Sequence, residues 1–168
     1  VYKAERADNL LKQVCALVDR YKNESGVIYC IRRGDVDSMC ADLTRLGYKV
    51  LPYHAGMSDK DRKRNQEAFI QEKVNTIVAT VAFGMGIDKS NVRYVIHTGM
   101  PKSIEHYQQE SGRAGRDGLE AECCLFYSGT DYGIWKSILR DTAPEVKKVA
   151  LQKLNDMYAY CKIGRANV

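Results

Sequence analysis

The 168-residue sequence predicts an α/β fold, a parallel sheet flanked by helices on both faces and followed by a helical C-terminal extension. Three observations predict it. Short β-branched and aromatic runs, such as VIYC at 27–30 and NTIVAT at 75–80, read as strands apolar on both faces. The segments between them carry apolar residues at three- and four-residue spacing, the period of a helix. Strand and helix signals alternate along the chain, the order that builds a parallel sheet.

Each element has its own signal. Leu10, Leu11, Val14, Leu17, Val18 and Tyr21 form one apolar stripe, which predicts a helix from Glu5 to Tyr21 that ends before Gly26. VIYC is the first strand, and the helix from Asp35 to Leu46 stops at Gly47. The strand YKVLPY leads into HAGMS, where Ser58 caps a helix reaching about Gln71, with Asp61 completing a capping-box-like pair. NTIVAT is the third strand and precedes the glycine loop FGMGIDK. VRYVIH is the fourth and precedes Pro101 and a helix from Ser103; ECCLFY is the fifth. Beyond about Gly133 the chain has helical character only.

Hydrophobic residues at 45% and charged residues at 28% suit a packed globular chain and exclude a disordered one. The net charge of +5 suits a phosphate-bearing partner, although so mild an excess does not specify one. No apolar run approaches the ~18 residues of a membrane span, and the charged start VYKAERADNLL is unlike a signal peptide, so no membrane partner is expected. The six cysteines lack the short paired spacing of a zinc site and read mostly as reduced core residues; Cys161, in the mixed stretch near the end, stands apart.

The residues that carry chemistry fall in three stretches. In QESGRAGRDG, Gln109, Arg113 and Arg116 are spaced so that a continuing helix puts them on one face. Two forked, permanently charged guanidiniums there make a clamp for a polyanion, and Gly112, Ala114 and Gly115 let another surface come close. In ATVAFGMGIDK, Gly84 and Gly86 free the backbone to approach a ligand and Asp88 adds an acceptor. A dinucleotide fingerprint is excluded there, because the third glycine is missing and a strand signal follows. In YHAGMS, a helix N-terminus offers free amides, and His54 read alone is a hydrogen-bonded structural histidine. Arg32 and Arg33 suit a phosphate contact or a plain surface role equally; Lys102 and Ser103, after Pro101, suit a further phosphate contact.

QESGRAGRDG resembles motif VI of superfamily 2 helicases in its RecQ form, ATVAFGMGIDK resembles RecQ motif V, and YHAGMS and Arg32–Arg33 resemble the preceding motifs. The likeness covers motifs IV to VI, about residues 26 to 128. It implies the RecA-like second lobe of an ATP-dependent, 3′–5′ DNA helicase. Arg116 is then the arginine finger, and Arg113 either assists at the phosphates or links ATP to the DNA-binding surface. Gln109, Gly86 and Asp88 also join the nucleotide site, with Asp88 near the ribose. Arg32, His54, Gly56, Thr80, Lys102 and Ser103 contact single-stranded or duplex DNA through its backbone.

No G-x-x-x-x-G-K-[ST] phosphate loop and no Asp-Glu pair occur in the chain. ATP and Mg2+ are therefore expected to be held mainly by a preceding N-terminal RecA-like lobe of the same protein. This chain alone is expected to be an inactive fragment. By the same resemblance, the lobe spans 1–132, and 133–168 begins a truncated zinc-binding region with Cys161 as the candidate first Zn2+ ligand. The location implied is intracellular: the nucleus of a eukaryote, or the cytoplasm and nucleoid of a bacterium. A different class of function is a non-catalytic, regulatory nucleic-acid-binding module of the same fold, against which the paired arginines argue.

Overall fold

The computed structural model describes residues 1–80 and 89–164. In chain order the elements are β1 (Tyr2–Arg6), α1 (Leu10–Arg20), β2 (Ser25–Tyr29), α2 (Arg33–Arg45), β3 (Val50–Tyr53) and α3 (Asp59–Ile70). There follow β4 (Thr76–Ala79), β5 (Val92–His97), α4 (Ile104–Ser111), β6 (Glu122–Tyr127), α5 (Gly129–Ile138) and α6 (Pro144–Gly164). The strands form one six-stranded sheet in the order β1-β6-β5-β2-β4-β3, with every neighbouring pair parallel.

The four central strands β6, β5, β2 and β4 are buried on both sides because successive residues feed opposite cores. Ile28, Val78, Ile96 and Cys124 face α1 and α2, where Val14, Leu17, Val36 and Leu43 are buried. Their neighbours Val27, Ile77, Val95 and Cys123 face the other way, onto Phe69 of α3. A third cluster lies where α5 and α6 close over the sheet: Ala4, Met100, Leu125 and Tyr127 meet Trp135, Leu154, Met157 and Cys161. The expected division at residue 133 thus falls inside α5, and the tail helices pack on the sheet's own residues.

Two expectations need correction. The N-terminal helix does not begin at Glu5: Tyr2–Arg6 form a sixth strand, paired with β6 from Tyr2↔Cys123 to Arg6↔Tyr127. This is an edge strand in which only Ala4 is buried, so it lacks the apolar run that marks its neighbours. The helix starts after Asn9, whose side chain accepts from the Lys12 amide. The second correction concerns α4, which stops at Ser111 and does not continue through the arginines.

Candidate functional site

α4 starts on a firm cap. Ser103 Oγ accepts from the His106 amide at 3.1 Å and shares a hydrogen bond with His106 Nδ1 at 2.7 Å, so the buried Ser103 hydroxyl is engaged inside the chain. The end is equally defined. Ser111 Oγ donates back to Tyr107 O at 2.7 Å, and Gly115 and Gly118 take φ of +66° and +80°, left-handed values that glycine adopts without strain. The chain from Gly112 to Asp117 is therefore a turn, fastened to the start of β5 by Gly115 N–H to Val92 O (2.9 Å) and Asp117 N–H to Ser90 O (3.1 Å).

Arg93 completes this fastening. Buried at the foot of β5, it reaches Asp117 Oδ1 at 2.5 Å and donates to Glu120 O at 2.8 Å. The Arg93 guanidinium, followed by the Leu119 amide, holds the Asp117 carboxyl below its usual range. Ala114 packs onto the α3-side core.

Gln109 thus lies exposed on α4, while both arginines lie beyond its end, so the three do not share one helical face. Arg116 is exposed, and its Nε–H donates to Gly112 O at 3.3 Å. Arg113 is half-buried with its Nε enclosed. Among the described residues no carboxylate comes within ion-pair distance of either guanidinium. The turn's backbone sits at the start of β5 and not on the strand C-terminal edge. The Arg113 guanidinium nonetheless lies near the hydroxyl of Tyr29, the last residue of β2, where it opposes the rise that burial causes.

The strand C-terminal edge gathers the other candidates. Because β5, β2, β4 and β3 are consecutive neighbours, the chain following them sets Lys102–Ser103, Arg32, Thr80 and His54–Gly56 in that order along one edge. At ~4.8 Å per strand the row is about 14 Å long. Lys102 is exposed, and the half-buried Thr80 is tied by its amide to Tyr53 O at 3.2 Å. Arg32 caps α2, and its guanidinium forks onto Asp35 at 2.9 and 3.1 Å. Arg33 beside it makes no ion pair among the described residues, and its Cδ lies 3.4 Å from where a Cβ on Gly56 would stand.

His54 is buried with both ring nitrogens engaged: Gly56 N–H donates to Nδ1 at 3.1 Å, so Nε2 carries the proton that Asp37 Oδ1 accepts at 3.0 Å. The ring thereby shapes the turn ahead of α3. Gly86 and Asp88 lie outside the described residues. Cys161 is fully buried in the apolar cluster under α6, where burial pushes its thiol up to about 12.

Residues 7–118 match the family described as the helicase conserved C-terminal domain. The chain belongs to this family, in its RecQ form. It is 39% identical over 161 residues to the ATP-dependent DNA helicase RecQ of Bacillus subtilis, covering 95% of this chain and 27% of that protein. It is 47% identical over 129 residues to the RecQ of Pasteurella multocida, covering 77% of this chain and 20% of that one. This helicase lobe thus spans about a quarter of the length of those relatives. The solved C-terminal domain of the DEAD-box protein Dbp5 superposes with a TM-score of 0.64 at 18% identity, covering 90% of this chain and 94% of that one. That likeness establishes a RecA-like fold.

Several residues that build the lobe's site carried no sequence signal. Arg93 and Asp117 are 24 positions apart, and nothing in a linear reading pairs them. Asp131 is another: buried at the start of α5, it accepts from the amides of Met100 at 3.0 Å and Ser128 at 2.8 Å, holding the chain after β5 in place. Burial raises its carboxyl above the usual range. Tyr29, His97 and Glu110 look in the sequence like ordinary strand or helix residues, yet they make a buried polar floor next to Arg113.

Proposed function

We propose that this lobe is the second motor half of a RecQ-type ATP-dependent DNA helicase. Arg116, assisted by Arg113, meets the triphosphate of an ATP held by a preceding RecA-like lobe. The observation that carries this reading is a glycine-framed turn presenting two guanidiniums with no carboxylate partner among the described residues, in a chain of the helicase C-terminal family. A guanidinium crossing a cleft stabilises the charge that spreads over the departing γ-phosphoryl oxygens. Gln109, on the last turns of α4, and Gly86 and Asp88, in the segment between β4 and β5, complete this lobe's share of the nucleotide site.

The edge row of Lys102, Arg32, Thr80 and the His54–Gly56 turn lies along the backbone of single-stranded DNA, with duplex DNA unwound 3′ to 5′ ahead of it. Such contacts position the strand without reading its bases. In this reading Ser103 and His54 contribute by holding α4 and the 54–58 turn in shape, since their polar atoms are already engaged. Lys102 and the neighbouring Arg33 carry the free charge. Closure of the two lobes on ATP and their opening after hydrolysis then move the strand.

No group of three or more His, Cys, Asp or Glu suited to a metal ion occurs among the described residues. We assign Mg2+ together with ATP to the preceding lobe, where one or two carboxylates and the phosphates would hold it. Cys161, enclosed by apolar neighbours, has no companion donors for a closed zinc site among the described residues. Among the described residues no helix is long and apolar enough to cross a membrane. A DNA motor of this kind works inside the cell, in the nucleus of a eukaryote or the cytoplasm and nucleoid of a bacterium.

The test is DNA-stimulated ATP hydrolysis by the protein joined to its upstream lobe. Arg116→Ala is expected to lower kcat by roughly a thousandfold, about 4 kcal/mol of barrier, while single-stranded DNA binding persists. The lobe by itself is expected to hydrolyse ATP at background rate. Unchanged turnover in Arg116→Ala would sink the assignment and favour a binding module.

A further inference from the structure

Among the described residues, every buried side-chain nitrogen or oxygen without a hydrogen-bond partner belongs to four residues: Tyr29 Oη, His97 Nδ1 and Nε2, both carboxylate oxygens of Glu110, and Arg113 Nε. They are not scattered. The Tyr29 ring stacks on His97 with centroids 5.2 Å apart, and His97 Nε2 lies 3.6 Å from Glu110 Oε1. Burial holds the Tyr29 hydroxyl above its usual range, the Arg113 guanidinium opposes that rise through its charge and a loose side-chain contact, and the Glu110 carboxylate adds to it. Tyr107 closes the far side of His97, with ring centroids 5.2 Å apart.

Buried polar atoms are almost always paired, and leaving several unpaired in one place is costly. The set is also chemically complementary. Tyr29 and Arg113 bring an O–H and an N–H, His97 brings one N–H, and Glu110 brings two oxygens able to accept all three. A shift of under an ångström between Glu110 Oε1 and His97 Nε2 would bring their 3.6 Å separation within hydrogen-bond reach.

We infer that Glu110 is a positioning residue for Arg113, an inference that rests on the proposed nucleotide role of this turn. When the lobes close on ATP, Glu110 accepts from Arg113 Nε–H, with Tyr29 and His97 holding the carboxylate from behind. The side of the guanidinium that carries Nε is then fixed to the lobe, and its two Nη groups are aimed at the phosphates. Glu110 touches no substrate; it sets the direction of the group that does.

The experiment is a double-mutant cycle on ATP hydrolysis by the protein joined to its upstream lobe, with DNA present. Glu110→Gln keeps size and shape but weakens the acceptor; kcat is expected to fall roughly ten- to a hundredfold, as for a misaimed catalytic group, with KM for ATP little changed. Glu110→Gln combined with Arg113→Ala is expected to be no slower than Arg113→Ala alone, a non-additivity that general loosening of the fold does not produce. Wild-type kcat in Glu110→Gln, or effects that multiply in the double variant, would overturn the inference while leaving the arginine reading standing. Unchanged hydrolysis in Arg113→Ala would overturn both. Should Glu110→Gln unfold the lobe, Tyr29→Phe decides in its place: a several-fold fall in kcat that vanishes on the Arg113→Ala background supports the inference, and wild-type kcat rejects it.

Discussion

Gly26 has no room for a side chain. A Cβ built there would stand 2.0 Å from the ring of Tyr94, which is fully buried with its hydroxyl bonded to Thr76. The pairing of β2 with β5 also shifts register between Ser25 and Gly26, the local kink that seats the ring. Gly26→Ala is therefore expected to destabilise the lobe by about 3 kcal/mol through overpacking, measured as a lower urea midpoint with unchanged slope. Retention of the wild-type midpoint would show that Tyr94 moves freely. His54 teaches a related lesson at the same scale. Read alone it is a structural histidine, read by resemblance a nucleic-acid contact, and its two engaged nitrogens describe how it can serve the site while touching only its own chain.

The arginine turn belongs to the scale of elements. Spacing alone extends α4 through Arg116, but Gly112, the Ser111 hydroxyl folded back on Tyr107 O, and the positive φ of Gly115 end it at Ser111. What replaces the helix is held by Arg93 and Asp117. Because the Asp117 carboxyl is depressed on folding, chiefly by the Arg93 hydrogen bond, its contribution is present above the ordinary aspartate value of ~3.9 and is lost as pH falls through the lower folded value. The turn is thus expected to stay closed at pH 5 and to open below about pH 4. Amide hydrogen exchange at Gly115 and Asp117 would report it, and Asp117→Asn should show faster exchange at pH 7 with the pH step removed. A step that survives in Asp117→Asn would point to another carboxylate.

For the molecule as a whole, the two C-terminal helices finish the core. Trp135, Leu154, Met157 and Cys161 are buried against Ala4, Met100, Leu125 and Tyr127, and the Trp135 indole donates to Met100 O at 2.7 Å. α6 also packs on β1, α4 and α5, so it covers the edge strand that the linear reading missed. Ending the chain at residue 132 would uncover this cluster at a cost of ~5–10 kcal/mol, comparable with the stability of an entire small domain. Such a truncation is expected to be insoluble or to lack a cooperative thermal transition; a folded 1–132 product with an unchanged midpoint would support an independent unit ending near residue 132.

The sequence by itself determined the parallel α/β class, five of the six strands, the cap of α3, the start of α4 near Ser103, and the segments that carry the helicase likeness. Those properties are local: apolar runs, helical period, turn glycines and short strings are all written within a few consecutive residues. Tertiary structure alone decided the edge strand β1, the end of α4, the Arg93–Asp117 fastening and the buried floor of Tyr29, His97 and Glu110. All but the end of α4, which neighbouring glycines and the Ser111 hydroxyl set, depend on residues far apart in the chain becoming neighbours, and burial is what turns an ordinary tyrosine, histidine or glutamate into a group that must find a partner. A linear pattern records which residues are present; only packing determines which of them are cut off from water and from whom they must take their hydrogen bonds.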